Sequence, residues 1–215
     1  MIVMSSTSPT GSSRGPYRNG IRRRAEILES ATRVFGRHGF IGGTLRHIAD
    51  EVGVSPAALS RHFPTKEDLL IEVLRGSDAR NAADLFDGTR GLARLDNSAR
   101  LVARNMQNRG LVELLLSVAT EASNVEHPAR PHMTSRYTAH VSDLIERLRE
   151  ARADGEIADL TDTDIEREAR GYIAMMDGLE LQWLLDPDFD LLGTWEYHYE
   201  QFRERWTAGV ARTRP

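Results

Sequence analysis

Residues 44–66 read Thr-Leu-Arg-His-Ile-Ala-Asp-Glu-Val-Gly-Val-Ser-Pro-Ala-Ala-Leu-Ser-Arg-His-Phe-Pro-Thr-Lys, and this stretch decides the fold. Leu45, Ile48, Ala49 and Val52 recur at i, i+3, i+4 and i+7, one face of a helix. Thr44 stands where an N-cap hydroxyl takes up a free first-turn N–H. Gly53 ends the helix, because glycine enters the left-handed region without steric cost. Ser55 caps a second helix, and Pro56 fills its first position, where a missing N–H is harmless. That helix turns Leu59 and Phe63 inward and stops at Pro64. Thr65 caps the next one, with Asp68 three residues on. Helix, glycine turn and capped helix make a helix-turn-helix pattern, whose second helix fits a DNA major groove. The same spacing also suits an ordinary helical hairpin in a bundle.

On the N-terminal side, residues 21–38 place Ile21, Ala25, Leu28, Ala31, Thr32 and Phe35 on one stripe, and Gly39 stops that helix. Residues 1–20 are rich in Ser, Thr, Gly and Pro and read as a disordered basic arm. The arm leads into Arg22, Arg23 and Arg24, which are candidates for phosphate contact. On the C-terminal side a long helix runs from about residue 66 to 86, and Gly88 and Gly91 mark a break. Further helical patterns span about 96–106, 109–123, 131–153, 162–185 and 191–210. Thr163 and Glu166 read as a capping box for the fourth of these. With no alternating pattern of useful length, the fold class is all-α. The expected organisation is a helix-turn-helix domain at 21–66 and a larger helical domain at 67–215.

Composition bounds the function. The chain has 215 residues, no cysteine and a net charge of −4. Thiol chemistry and disulfides are excluded. No apolar run approaches the roughly 18 residues that a membrane span needs, and no secretory signal opens the chain, so a cytoplasmic protein without a membrane partner is expected. Residues 1–76 hold 11 Arg and Lys against 7 Asp and Glu, while residues 77–215 hold 17 against 25. A basic head on an acidic body suits a protein that meets DNA at one end. His127 and His132 lack a second ligand pair for a metal. The run Asp186, Asp188, Asp190 has Leu191 and Tyr197 where a calcium loop needs Gly and Glu. No catalytic, cofactor or metal site is expected.

Residues 21–74 resemble the N-terminal domain of TetR/AcrR-type regulators. The resemblance is carried by Ile27-Leu28, Ala31, Val34-Phe35, Gly39-Phe40, Thr44, Ile48-Ala49, Val52-Gly53-Val54-Ser55, Leu59, His62-Phe63, Lys66-Glu67 and Leu69-Leu70. Met176-Asp177-Gly178-Leu179 and Gln182-Trp183-Leu184-Leu185-Asp186-Pro187 are similar to a late helix of many such proteins. The resemblance implies a homodimeric repressor, released from a palindromic double-stranded operator when a small molecule binds its body. It implies that Thr44 and Arg46 meet phosphates, that Ser55, Pro56, Ala57 and Ala58 begin the recognition helix, and that Arg61, His62 and Lys66 lie near the backbone. Relatives of this kind carry tyrosine where the chain has Ser60, and two hydroxyl residues where it has Gly43-Thr44. Base reading then falls to Arg46, Ser55, Ser60 and Arg61 and to DNA shape.

The body offers two stripes for a dimer interface. One contains Tyr172, Met176, Leu179 and Trp183, the other Trp195, Tyr199, Phe202 and Trp206. Both stripes also suit a protomer core. Candidates for an effector pocket are Phe86, Met106, Leu111, Leu115, Met133, Tyr137, Met175, Asp177 and Trp183, with Arg104, Asn105, Gln107 and Gln182 as further polar groups. Methionine and aromatic residues suit a largely apolar ligand. The alternatives are a helical ligand- or partner-binding dimer that has lost specific DNA binding, and a regulator without an effector.

Overall fold

The computed structural model describes residues 16–86 and 88–209. Among these there are ten helices and no strand: α1 (Pro16–Gly42), α2 (Leu45–Val52), α3 (Pro56–Ser60), α4 (Lys66–Leu85), α5 (Gly91–Leu95), α6 (Ser98–Gln107), α7 (Arg109–Glu121), α8 (Arg130–Ala153), α9 (Asp162–Leu185) and α10 (Leu191–Thr207). The expected disordered arm is shorter than the composition suggests. Residues 16–20 already belong to α1, whose first position is Pro16, a proline placed where helices tolerate it. Residues 1–15 lie outside the described residues.

The caps read from the sequence are in place. Thr44 Oγ1 accepts from His47 N, Ser55 Oγ accepts from Ala58 N, and Gly53 takes φ 72. Thr65 and Asp68 exchange hydrogen bonds as a full capping box. The cap of α9 sits two residues earlier than expected. Thr161, not Thr163, accepts from Asp164 N, because the extended backbone needed at an N-cap falls at Thr161. Gly39 has φ 67 and bends α1. The buried face of α1 is Ile27, Ala31, Val34 and Phe35. Ile21 is 54% exposed, because the first turns of α1 run past the packed head.

Two cores result. The first joins α1–α4 through Ile48, Leu59, Phe63, Leu69 and Leu70, and continues into the body through Leu114, Val118 and Met133. The head therefore does not close on itself at residue 66. Its α1 lies against α7 at a contact of two glycines: a Cβ on Gly110 would fall 2.6 Å from Gly36 Cα. The second core is built by α5–α10 around Leu148, Ile165, Trp195 and Trp206. Helix α5, read as a break in the sequence, is held by carboxylates of the body. Glu150 accepts from Gly91 N and Glu156 from Leu92 N, each at 3.0 Å.

The aromatic stripes belong to this second core, the protomer-core alternative that their spacing also suited. Trp195 and Trp206 are fully buried, and Tyr172, Leu179, Trp183 and Phe202 are nearly so. The rings of Tyr172 and Trp195 meet edge-on at 5.0 Å, and Phe202 lies 5.6 Å from Tyr172. Met176 and Tyr199 are partly buried against the same cluster, and the Tyr199 hydroxyl donates to Asp96 at 2.7 Å. No helix among the described residues is long and apolar enough to cross a membrane.

Candidate DNA-binding face and effector site

The first turn of α2 and the outer side of α3 face outward together. Thr44, Arg46, Ser55, Pro56, Ala57, Ser60 and Arg61 are exposed, while Ala58 and His62 are half-buried. Leu59 and Phe63 are the side of α3 that the core holds. His47, which sequence reasoning passed over, is also exposed, and its ring lies tilted against that of His38 at 5.6 Å between ring centres. Its position next to Arg46 in the first turn of α2 was a readable signal. Gly43 has a steric reason in this chain: a side chain there would strike Phe35.

The basic residues divide. Among the described residues Arg22 and Arg23 pair with Glu26, at 3.6 and 2.9 Å on the surface. Arg24 turns inward, onto Glu72 and the ring of Phe63. Lys66 donates to the Phe40 carbonyl at 2.7 Å, with its ammonium 4.3 Å from the centre of the Phe40 ring. These contacts commit Arg24 and Lys66 to the protein, where the sequence placed them against phosphate.

The effector candidates are also divided. Met133 belongs to the head-side core, with Leu111, Leu115 and Tyr137 packed against it. Trp183 belongs to the other core, with Met106 and Met175 packed against that one. Phe86 caps α4 under the guanidinium of Arg94, 4.6 Å from its ring centre. Polar side chains join the helices beside these candidates. Tyr137 on α8 donates to Asp177 on α9 at 2.8 Å, and Asn105 on α6 donates to Glu180 on α9 at 2.6 Å. Glu180 was missed in the sequence. Its signal was a second carboxylate three residues after Asp177, on the same face of a helix otherwise apolar there.

Glu180 is 2% exposed. Burial, which disfavours the charged form, pushes its carboxyl up to about 7, against the opposing hydrogen bond from Asn105. Burial likewise raises Asp177, opposed by the Tyr137 hydroxyl and by Arg136. Arg136 itself is spent on Asp78 of α4 through two 2.8 Å bonds. Among the described residues neither Asp177 nor Glu180 has an ion-pair partner. A cleft of about 190 Å³ between α4 and the corner of α6 and α7 has Asn105 and Leu111 in its wall, so one face of Asn105 is open and the other holds Glu180.

This corner also gathers the contacts between head and body. Arg104 donates to Asn81 and Asp84 on α4. Arg109 donates to the last carbonyls of α9, Trp183 O at 3.2 Å and Leu184 O at 2.6 Å, and lies over the Trp183 ring. Gly110 touches α1. The short stretch 104–110 thus joins α4, α9 and α1.

Comparison with known proteins fits this arrangement. Residues 27–73 match the model of bacterial regulatory proteins of the tetR family, and residues 93–192 match the C-terminal domain of BetI-type transcriptional repressors. The chain is 31% identical over 160 residues to the transcriptional repressor AcnR of Corynebacterium efficiens, covering 74% of this chain and 80% of that one. It is 33% identical over 107 residues to the repressor KstR2 of Rhodococcus jostii, a match of 50% of this chain and only 46% of that protein's length. Among solved structures it is similar to a transcriptional regulator from Saccharomonospora viridis in complex with choline, at 27% identity and a TM-score of 0.68, over 86% of this chain and 96% of that one. The arrangement of the head, the two-core body and these matches agree: the chain belongs to the TetR family of bacterial regulatory proteins.

Proposed function

We propose that the protein is a homodimeric transcriptional repressor that leaves its operator when a small organic cation binds in the body. The observation that carries the DNA half is the outward face of α2 and α3, where capped helix starts carry Thr44, Arg46 and Ser55 and the end of α3 carries Ser60 and Arg61, on a head richer in base than acid. Helix starts of this kind offer free N–H groups and hydroxyls to phosphates, and the exposed side of α3 suits a major groove. Ser60 and Ala57 reach less far than long polar side chains, so shape readout carries more of the specificity.

Two carboxyls without a partner cation among the described residues, Glu180 buried and Asp177 half-buried, support the effector half. An uncompensated buried charge is costly, and a bound ammonium relieves that cost. The Saccharomonospora regulator was solved with choline, a cation of this class. The test is fluorescence anisotropy with the chain's own upstream DNA. Tight, salt-sensitive binding to that duplex over a scrambled one is expected. Choline and related ammonium ions should release it, and 3,3-dimethylbutan-1-ol, the uncharged isostere of choline, should not. Equal release by the alcohol would rule out a cationic effector. Absence of binding even at low salt would remove the repressor reading.

A further inference from the structure

The recognition helix α3 has only five residues. A helix so short has no stability of its own, so its aim at DNA is set by whatever holds its ends. Ser55 holds the start. At the other end the chain leaves through His62 and Phe63, and one side chain of α1 grips both. Arg24 Nη1 donates to the His62 carbonyl at 3.4 Å. Its Nη2 donates to Glu72 Oε2 of α4 at 2.6 Å. Its guanidinium carbon lies 4.3 Å from the centre of the Phe63 ring, a ring buried to within 1% of its surface. Arg24 thus ties α1, the exit of α3 and the start of α4 together. The planar fork suits this use, since it stacks by its face and donates by its edge.

We propose that Arg24 is a positioning residue for the recognition helix: by clasping Glu72, Phe63 and the His62 carbonyl it fixes the angle at which α3 meets a base sequence, and it takes no phosphate itself. Its neighbours Arg22 and Arg23 pair with Glu26 on the surface and serve the phosphates instead. The proposal rests on the DNA-binding reading given above, and the wild-type titration tests that reading separately. If wild type does not bind, the repressor reading fails; if wild type binds, the variants decide the role of Arg24.

Glu72 makes the two roles of Arg24 predict opposite results. Removing its charge weakens the clasp, leaving at best a neutral amide acceptor, and leaves a phosphate-seeking arginine freer. Arg24→Gln, Arg24→Lys, Glu72→Gln and the Arg24→Gln/Glu72→Gln double variant are titrated against the upstream operator and a scrambled duplex across a range of salt. The clasp requires that Arg24→Gln and Glu72→Gln each weaken operator binding several-fold, and that the double variant is no worse than the weaker single one. Affinity for scrambled DNA stays constant. The slope of log affinity against log salt stays that of wild type, since each lost phosphate contact would lower it by about 0.9. Arg24→Lys, which keeps the charge and loses the fork, behaves like Arg24→Gln. A slope reduced by about one contact in Arg24→Gln, full rescue by lysine, or unchanged or tighter binding by Glu72→Gln would overturn the proposal. If Arg24→Gln fails to fold by circular dichroism, Glu72→Gln and Arg24→Lys still separate the two roles.

Discussion

A Cβ placed on Gly43 would sit 2.7 Å from Phe35 Cδ1 and 3.0 Å from the Gly39 carbonyl oxygen. The Phe35 ring is fully buried and cannot swing away, so the glycine is required by space. Gly43→Ser, which would install a hydroxyl beside Thr44, is expected to destabilise the fold by about 1–3 kcal/mol, the usual cost of overpacking. A drop in melting temperature checks this; an unchanged melt would mean the α1–α2 junction opens freely. Glu180 makes a pH-dependent contribution. Its folded value of about 7 lies above the ordinary carboxyl value of 4.5, so the folded chain holds a proton that the unfolded chain has lost. Stability from this group is full below pH 4.5, falls between 4.5 and about 7, and stays low above that. Glu180→Gln can still accept from Asn105 through its amide oxygen and carries no charge. It should match wild type near pH 5 and exceed it at pH 8 by on the order of 2 kcal/mol. Equal melts at pH 8 would show that Glu180 reaches water.

Alanine normally stabilises a helix over glycine by up to about 1 kcal/mol, but at the α1–α7 crossing the sign reverses. A Cβ on Gly110 meets the Gly36 backbone at 2.6 Å, one on Gly36 meets Gly110 at 3.1 Å, and neither backbone can step aside. Gly110→Ala is expected to cost about 1–3 kcal/mol, more than Gly36→Ala, and to alter the response of the head to effector, because Gly110 follows Asn105 and Arg109 in the corner that holds α9. Melting curves and effector release of operator DNA check both parts. Neither glycine stood out in the sequence, because a crossing joins residues 74 positions apart. The same reason explains what was legible. Thr44, Gly53, Ser55 and Thr65 act within four residues of themselves, so their roles could be read directly. Which face of α9 turns inward depends on α10 and α6, and a stripe containing Tyr172, Leu179 and Trp183 looks the same for a core as for an interface. The polar centre was half legible: Asp177 and Asn105 were singled out, whereas Glu180 acquires its meaning only when Asn105 of α6 is brought against it.

At the scale of the molecule, the buried aromatic face of α9 and α10 leaves the opposite side of both helices exposed. That side presents Gly171, Ala174, Gly178, Leu181 and Leu185 on α9 and Tyr197 on α10. Leu181 is 50% exposed, Leu185 79% and Tyr197 64%. Large apolar side chains clustered in this way on two late helices suit an interface in which each copy lends two helices to a bundle. Core and interface are then separable by experiment. Trp195→Leu strikes the Tyr172–Phe202–Trp206 cluster and strands the Ser98 hydroxyl that receives its indole N–H; it should lower the melt by several kcal/mol and leave the mass of the folded fraction alone. Leu181→Glu with Leu185→Glu touches little inside the protomer. It should preserve the thermal melt measured at low concentration and convert the species seen in sedimentation equilibrium to a monomer. A monomer places one head, not two, on the operator. Affinity should fall steeply, and the salt slope should drop to about half, since that slope counts phosphate contacts. A variant that stays dimeric with both leucines replaced would move the interface elsewhere. A monomer that keeps the full slope would mean that one head makes all the contacts, and that a change in the spacing of two heads is not what releases the DNA.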